Sequence, residues 1–342
     1  MMTRNCWLHR HPLLGAALLV FVGAGGLSWS RYETDIKRAK ARVGHGSALI
    51  STRCGPIEYA DAGSGVPLLS VHGSGGGFDQ GMAFAGRLTN SGIRVIAMSR
   101  FGYLRTPIRP DTSASAQADA HVCLLDALGI DSAAVLGGSA GAPSALQLAI
   151  RHPDRVSALI LLAPLTYKPP GVAGTAKPMP AWIENTMMTA LGSDFLFWTA
   201  SHVAPDIMIR TVLATPPELL AAASPSERAR IYAMLTNILP VSKRAAGLQS
   251  DTAASKNLSP AKLDTVSAPT LIISARDDGY GTYASAQYIA RRIPGAQFIG
   301  FDQGGHTWVG HDDEVMAAIK AIVLRTGTQP SRGKCAFGNK AC

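Results

Sequence analysis

The sequence predicts an α/β protein with a mostly parallel, doubly wound sheet and a helical segment inserted between two of its late strands. From about residue 47 onward, short apolar runs that suit buried strands alternate with stretches of helical spacing. The alternation stops after residue 164 and resumes near residue 269. Hydrophobic residues make up 47% of the 342 residues and charged residues 16%, a composition typical of a globular chain.

The predicted strands are short runs of mostly apolar residues. The first two, at 48–50 and 57–59, are joined around Gly55-Pro56 like a hairpin. The other six lie at 66–71, 93–98, 133–137, 156–163, 269–275 and 296–301. Helical spacing predicts helices at 78–90, 113–128, 140–151, 282–292 and 311–325. Apolar strands that alternate with helices indicate a parallel sheet covered on both faces.

The predicted insertion begins with a loop that holds five prolines between residues 164 and 180. Residues 181 to about 250 then have the spacing of several short helices, with no strand among them. We therefore divide the main part of the chain into a core, a helical lid and a polar tail. The core comprises 45–164 and 261–326, the lid 165–260, and the tail 327–342.

The N-terminal segment 1–30 contains an uncharged apolar run at 13–27, which residues 28–30 extend to 18 residues. A spanning helix needs ~20 apolar residues and the core of a signal peptide ~7–15, so the run falls between the two. No convincing cleavage site follows it. We therefore expect residues 13–30 to form an uncleaved transmembrane anchor that binds the protein to a membrane, with a cleaved signal segment as the alternative.

The five cysteines do not form the even set of a disulfide scaffold. Cys335 and Cys342 lie in the polar tail and are candidates for a disulfide in an oxidising compartment, whereas Cys54 and Cys123 are expected to be small buried residues. Free thiols throughout are the alternative. The tail cysteines favour a periplasmic or extracellular side for the catalytic domain, but the basic residues at 31–42 favour the cytoplasmic side.

The net charge of +9 comes largely from basic residues near the two ends of the chain. No zinc-finger spacing and no basic stripe with interleaved aromatic residues is present, so we expect no nucleic-acid partner. No phosphate-binding glycine motif opens a helix, so a nucleotide site is not expected either. We expect neither a cofactor nor a metal, and the oligomeric state is left open.

Residues 137–141, GGSAG, match the G-x-S-x-G pattern of a nucleophile on a sharp strand-to-helix turn. The motif follows the predicted strand at 133–137 and opens the predicted helix at 140–151. Small residues on both sides of Ser139 are required because the strand and the helix nearly touch there. The turn would present the Ser139 hydroxyl at the carboxyl edge of the sheet, where α/β folds bind ligands.

A serine nucleophile needs a base, an acid that orients the base, and donors for an oxyanion. The SGGG run that follows His72-Gly73 comes directly after a strand and can aim backbone N–H groups at an oxyanion. His72 itself is expected to be structural. Asp277 and Asp278 follow one late strand and Gly304-Gly305-His306 follows the last, so both groups lie at the edge that carries the nucleophile. Asp277 for the acid and His311 for the base remain alternatives.

From about residue 45 to 325 the chain resembles the α/β-hydrolase superfamily, in particular its lid-bearing esterase, lipase-like and C–C-hydrolase branches. The matching segments are His72-Gly73, SRFGY (99–103), GGSAG (137–141), RHPDRV (151–156), ARDD (275–278) and GGH (304–306). The resemblance implies the α/β-hydrolase fold, with Ser139 as nucleophile, His306 as base and Asp278 as acid. It also implies that the backbone N–H groups of Ser74 and Ala140 form the oxyanion hole.

On this resemblance we expect a serine hydrolase that cleaves an ester-type bond of a small, partly apolar molecule through an acyl-enzyme. Aromatic and methionine side chains of the lid, with Trp182 and Trp198 as candidate substrate contacts, would line an apolar pocket. The alternatives on the same triad are a C–C bond hydrolase and an acyltransferase, and a non-catalytic receptor for a small ligand is a third. An epoxide or haloalkane hydrolase is disfavoured because such relatives carry Asp where this chain has Ser139.

Overall fold

The structure, a computed structural model, describes residues 12–169 and 192–327, with side chains from residue 26 onward. Its centre is an eight-stranded sheet in the order β1-β2-β4-β3-β5-β6-β7-β8. The strands are β1 Ala48–Thr52, β2 Gly55–Ala62, β3 Val66–Val71, β4 Ile93–Met98, β5 Ala133–Gly138, β6 Val156–Leu162, β7 Thr270–Ala275 and β8 Gln297–Phe301. Strand β2 is antiparallel to both β1 and β4, and the pairs from β4 to β8 are parallel. The predicted fold class is therefore confirmed.

Helices cover both faces of the sheet because its central strands alternate apolar side chains between two cores. In β5, for example, Val135 packs into one core cluster and Leu136 into the other. The first core is closed by α3 Ala114–Ala127 and α4 Ala142–Arg151, together with a later helix at Thr282–Arg292. The second is closed by α2 Phe78–Ala85 and by the last helix at Asp312–Gly327. This arrangement leaves the carboxyl edge of the parallel strands free for the loops.

In the segment between β6 and β7, all the regular secondary structure that the structure describes is helical. Its helices are α5 Asp194–Val203, α6 Pro205–Val212, α7 Leu219–Ala222, α8 Pro225–Thr236 and α9 Ala245–Ser255. They share a third apolar cluster, which includes Phe197, Ile209, Ile231 and Leu235. After β7 come α10 Thr282–Arg292 and α11 Asp312–Gly327. We call α5–α9 and the turns between them the helical insertion; its role as a lid stays a prediction.

The prediction of a transmembrane anchor at residues 13–30 is wrong. Helix α1 runs from Pro12 to Gly44, and neither it nor any other helix in residues 12–169 and 192–327 combines the length and the hydrophobicity that crossing a bilayer requires. The apolar run is shorter than the ~20 residues of a span, and the helix continues from it into charged sequence. The predictions of a membrane partner and of a membrane-anchored location depend on this anchor, so they are wrong as well.

The C-terminal half of α1 instead packs against the helical insertion. Ile36 and Ala39 are buried in the same apolar cluster as Phe197 and Trp198. The indole N–H of Trp198 donates to Asp35, with 3.0 Å between the two heavy atoms. Helix α1 is therefore part of the folded body from about residue 32 onward.

The prediction for Cys54 and Cys123 also needs correction, because these two residues form a disulfide. The bond joins the turn between β1 and β2 to α3, across 69 residues of sequence. The long separation explains why sequence reasoning missed the pair, since nothing local marks these two cysteines as neighbours. The predicted candidates Cys335 and Cys342 lie outside the described residues.

Candidate active site

Ser139 lies on a strained turn between β5 and α4. Its φ is +48°, a value that a residue with a side chain adopts only when its surroundings hold it there. The two flanking glycines are required by close contacts. A Cβ added at Gly137 would lie 2.7 Å from the Cβ of Ala145, and one at Gly141 would lie 2.4 Å from the carbonyl oxygen of His72. This is the local geometry that the GGSAG pattern predicts.

Asp278 and His306 meet at the carboxyl edge of the sheet, in the loops after β7 and β8. The distance between His306 Nδ1 and Asp278 Oδ2 is 2.8 Å, and the Asp278 side chain is fully buried. Its Oδ1 accepts from the backbone N–H of Tyr280 at 2.8 Å, and its Oδ2 also accepts from the hydroxyl of Thr282. A carboxylate held in this way orients the imidazole so that Nδ1 donates and Nε2 remains an acceptor.

The two alternative residues have other partners. Asp277 accepts from the backbone N–H groups of Gly304 and Gly305 at 3.2 and 2.8 Å, so it shapes the loop that carries His306. The ring of His311 stacks on Phe301, with 3.8 Å between the ring centroids. The geometry thus brings Asp278 and His306, and neither Asp277 nor His311, into a hydrogen-bonded acid–histidine pair.

The loop of residues 73–77, between β3 and α2, runs beside the turn of Ser139. A Cβ on Gly73 would lie 3.0 Å from the Cβ of Ser139. The neighbouring Ser74 lines the same cavity as Ser139, and Ala140 follows Ser139 in the turn that opens α4. Residues 74 and 140 therefore flank the Ser139 position from the loop and from the start of a helix, whose free N–H groups favour negative charge.

His72 is structural, as its sequence context indicates. It is fully buried, its Nε2 accepts from the backbone N–H of Arg100 at 2.9 Å, and its Nδ1 lies 2.6 Å from the carbonyl oxygen of Gly73. Burial, with a further contribution from the charge of Arg100, lowers the pKa of His72 well below its usual 6.5. The imidazole is therefore neutral, and it supports the 73–77 loop.

Ser139 and His306 open into one cavity of about 580 Å³. Most of the side chains around it are apolar: Phe84, Leu162, Leu165, Val212, Leu213, Met234, Ile238, Leu248 and Trp308. Among the described residues that line it, Asp251 carries a charge and no lysine or arginine is present. The cavity suits a molecule with a neutral, apolar portion placed close to the serine.

Three side chains around the site were not singled out from the sequence. The ring of Tyr280 packs edge-on against His306, with 4.9 Å between their centroids, and its hydroxyl donates to the carbonyl of Val212 at 2.9 Å. Thr282 supports Asp278. Tyr280 and Thr282 come two and four residues after Asp278, so their proximity in sequence could have identified them as neighbours of the acid. Asp251 lies in α9 and belongs to no motif, so nothing in the sequence marks it.

Neither of the two predicted substrate contacts, Trp182 and Trp198, is among the described residues that line the cavity. Trp182 lies outside the described residues. Trp198 is buried between α1 and the helical insertion, beside Tyr32 and Phe195, and is not among the described residues that line the cavity. Its observed contacts fasten α1 to the insertion. Among the aromatic and methionine side chains of residues 165–260 that the structure describes, Met234 lines the cavity.

Comparisons with known proteins agree with this architecture. A family model described as the alpha/beta hydrolase fold matches residues 66–309, more than half of the chain. Among solved structures, an alpha/beta hydrolase fold protein from Nakamurella multipartita is similar, with a TM-score of 0.66 and 29% identity. That match covers 82% of this chain and 99% of the other.

Among curated proteins, the 2-hydroxymuconate semialdehyde hydrolase of Pseudomonas putida is 38% identical over 128 residues. This match covers 36% of this chain and 43% of that relative, less than half of its length. The pimeloyl-[acyl-carrier protein] methyl ester esterase of Aromatoleum aromaticum is 28% identical over 234 residues, which cover 68% of this chain and 88% of the esterase. With the family model matched across the sheet, the serine turn and the histidine loop, the chain belongs to the alpha/beta hydrolase fold family.

Proposed function

We propose that the protein is a serine hydrolase that cleaves carboxylic esters with an apolar acyl or aryl portion. The observation that carries the proposal is that Ser139, on its strained turn, opens into the same apolar cavity as the Asp278–His306 pair. An activated serine needs a base that can accept its proton and an acid that fixes the tautomer of that base. The family membership of the chain supports the same reaction class.

In the proposed mechanism Ser139 Oγ attacks the ester carbonyl and passes its proton to His306 Nε2. The negative charge on the carbonyl oxygen is stabilised by the backbone N–H groups of Ser74 and Ala140. The alcohol leaves with the proton from His306, and the acyl group remains on Ser139. A water molecule then gives a proton to His306 and attacks the acyl carbon, which releases the carboxylic acid and restores the serine hydroxyl.

The second candidate is hydrolysis of a C–C bond, because several relatives are named as hydrolases of molecules whose names contain no ester. One of them acts on 2-hydroxy-6-oxo-6-phenylhexa-2,4-dienoate, which is a carboxylate. Burying a carboxylate without a cation is costly, and the described cavity residues include no lysine or arginine. A methyl ester esterase and a dienedioate hydrolase both match over more than four fifths of their own length, so the preference for the ester reaction rests on the cavity.

The test is to compare kcat/KM for p-nitrophenyl acetate, butyrate, hexanoate and octanoate with kcat/KM for 2-hydroxy-6-oxo-6-phenylhexa-2,4-dienoate. Each added methylene buried in the cavity contributes up to ~0.8 kcal/mol, about fourfold in kcat/KM, until the cavity is full. We expect the longer esters to be preferred over acetate and the dienoate to be the poorest substrate. Faster turnover of the dienoate would favour the C–C reaction, and a preference for acetate over every longer ester would refute an apolar acyl site.

A matched pair of methionine variants locates the acyl site. Met234 lines the cavity, whereas Met208 packs in the apolar cluster of the helical insertion. We expect Met234→Ala to change the preference among the esters and Met208→Ala to keep it. Equal preference profiles in both variants would show that the acyl group binds elsewhere.

A further inference from the structure

Two buried ion pairs join the helical insertion to the core, one on each flank of the 73–77 loop. Arg100 of the core pairs with Asp251 of α9, and Asp79 of the core pairs with Arg244 of the insertion. The insertion supplies the anion of the first pair and the cation of the second, and the core supplies the other member of each pair. Arg244 also donates to the carbonyl of Gly76, inside the loop. The loop beside Ser139 is therefore held at Ser74 and at Gly76 by charged residues of the insertion.

Asp251 makes the most direct of these connections. Its Oδ2 accepts from the hydroxyl of Ser74 at 2.8 Å and from the hydroxyl of Tyr103 at 2.5 Å. Arg100 donates to both of its carboxylate oxygens, at 2.9 and 2.5 Å. Asp251 and Arg100 are only 9% and 2% exposed, so the pair is shielded from water. The carboxylate is thus a rigid acceptor for the Ser74 side chain.

The same network reaches the residues on either side of Ser74. Arg100 Nε donates to the carbonyl of His72 at 2.9 Å, and the Tyr103 hydroxyl accepts from the backbone N–H of Gly75 at 3.4 Å. Burial, followed by the nearby charge of Asp251, raises the pKa of Tyr103 well above 10, so its hydroxyl stays protonated and donates to Asp251. Residues 72, 74 and 75 are each tied to one Arg–Asp–Tyr cluster.

We propose that Asp251 is a positioning residue for the oxyanion hole: it holds the Ser74 hydroxyl and so fixes the Ser74 backbone N–H relative to Ser139. The inference rests on the proposed ester hydrolysis, and it assigns the helical insertion a part in the chemical step. An oxyanion donor must lie within hydrogen-bond distance of the place where negative charge develops. Loss of a whole donor typically costs ~10²–10³ in kcat, so loosening one should cost about tenfold or more.

The alternative is that Asp251 only fastens the insertion to the core, in which case its loss would change stability and leave kcat unaltered. Glu58 provides a matched control. It is fully buried, and it accepts from Arg105 Nε at 2.7 Å and from the hydroxyl of Ser99 at 2.8 Å. The described side chains that hydrogen-bond to its carboxylate do not line the cavity. Like Asp251, it is a carboxylate paired with one arginine and with hydroxyl groups.

The experiment uses the full chain and the variants Ser74→Ala, Ser74→Thr, Asp251→Asn and Glu58→Gln. For each, kcat and KM on a p-nitrophenyl ester, the inhibition constant of an alkylboronic acid and the melting temperature are measured. The boronate forms a tetrahedral adduct on the serine, so its affinity reports the oxyanion hole directly. Ser74→Ala leaves the Arg100–Asp251 pair intact, so it tests the connection even if Asp251→Asn folds poorly.

We expect Ser74→Ala and Asp251→Asn to lower kcat about tenfold or more, with KM within about threefold of the parent, because the loss falls on the transition state. The boronate inhibition constant should rise by a similar factor. Ser74→Thr keeps the hydroxyl and should restore both values. Glu58→Gln should lower the melting temperature but keep kcat and boronate affinity.

If the parent hydrolyses esters while Ser74→Ala and Asp251→Asn keep their kcat and boronate affinity, the positioning role is overturned and the proposed function stands. If the parent hydrolyses no ester but binds the boronate, the proposed function fails. In that case weaker boronate binding by the two variants still supports the positioning role, and unchanged binding overturns it. A parent that neither hydrolyses esters nor binds the boronate overturns both.

Discussion

Replacement of Asp278 by asparagine is the sharpest perturbation of the acid–histidine pair, because the surrounding donors determine how the new amide must point. The backbone N–H of Tyr280 faces Oδ1, so the carbonyl oxygen of an asparagine would take that place. Its NH₂ group would then face His306 Nδ1, where the carboxylate now lies at 2.8 Å. Nδ1 would have to accept, which moves the ring proton to Nε2.

A proton on Nε2 prevents His306 from accepting the proton of Ser139. In a serine protease the equivalent change of tautomer costs roughly 10⁴-fold in kcat, or about 5 kcal/mol of transition-state stabilisation. Asp277→Asn is the matched control, because Asp277 accepts from Gly304 and Gly305 through separate oxygens and an asparagine keeps one acceptor. Loss of one such bond costs about 1 kcal/mol, or roughly fivefold.

The assay is kcat/KM for a p-nitrophenyl ester, with circular dichroism and a melting curve to show that both variants fold. We expect Asp278→Asn to lose at least about a thousandfold and Asp277→Asn less than about tenfold. Equal losses in the two variants, or an Asp278→Asn enzyme within about tenfold of the parent, would refute the role assigned to Asp278.

Three further predictions follow from the contacts. His306→Ala should abolish ester turnover, whereas His311→Ala should retain it to within about tenfold, because His306 is hydrogen-bonded to Asp278 and His311 instead stacks on Phe301. Similar rates for the two variants would contradict the choice of base. Burial lowers the pKa of His121 from 6.5 to about 3, so this histidine stays neutral in the folded state while the unfolded chain takes up a proton below about pH 6.5. The free energy of unfolding therefore falls by about 2 kcal/mol between pH 7 and pH 5 because of this residue. In urea unfolding, the His121→Leu variant should lose about 2 kcal/mol less than the parent over the same pH range. An unchanged pH dependence would contradict the neutral histidine. Trp198→Ala should lower the free energy of unfolding by about 3 kcal/mol or more and leave the preference among esters unchanged, whereas a changed preference would return Trp198 to the substrate site.

The sheet and the serine turn were predictable because their signals are local. Runs such as 66–71 and 133–137 are almost entirely apolar because parallel strands are buried on both faces, and the one polar residue in them, Ser70, is itself buried. The GGSAG turn needs small residues wherever the strand and the helix touch, and the glycine contacts at residues 137 and 141 meet that need. The loops after β7 and β8 could be placed at the same edge because parallel strands end together.

Features that depend on contacts distant in sequence could not be predicted. The Cys54–Cys123 disulfide and the bond from Ser74 to Asp251 join residues 69 and 177 positions apart, and no spacing pattern marks either pair. The anchor predicted at residues 13–30 depends on the apolar run alone, whereas α1 continues to Gly44. Its docking depends on Ile36 and Ala39, which lie beyond that run and pack on a surface that only the folded insertion supplies.

The most direct test of the central claim is to label the folded protein with a fluorophosphonate probe and to map the modified peptide by mass spectrometry. The probe reacts with a serine hydroxyl only where a base activates it and an oxyanion site receives the phosphoryl oxygen. We expect a single modified residue, Ser139, with labelling lost in His306→Ala. Modification of a different serine, or no modification of the folded protein, would contradict this claim.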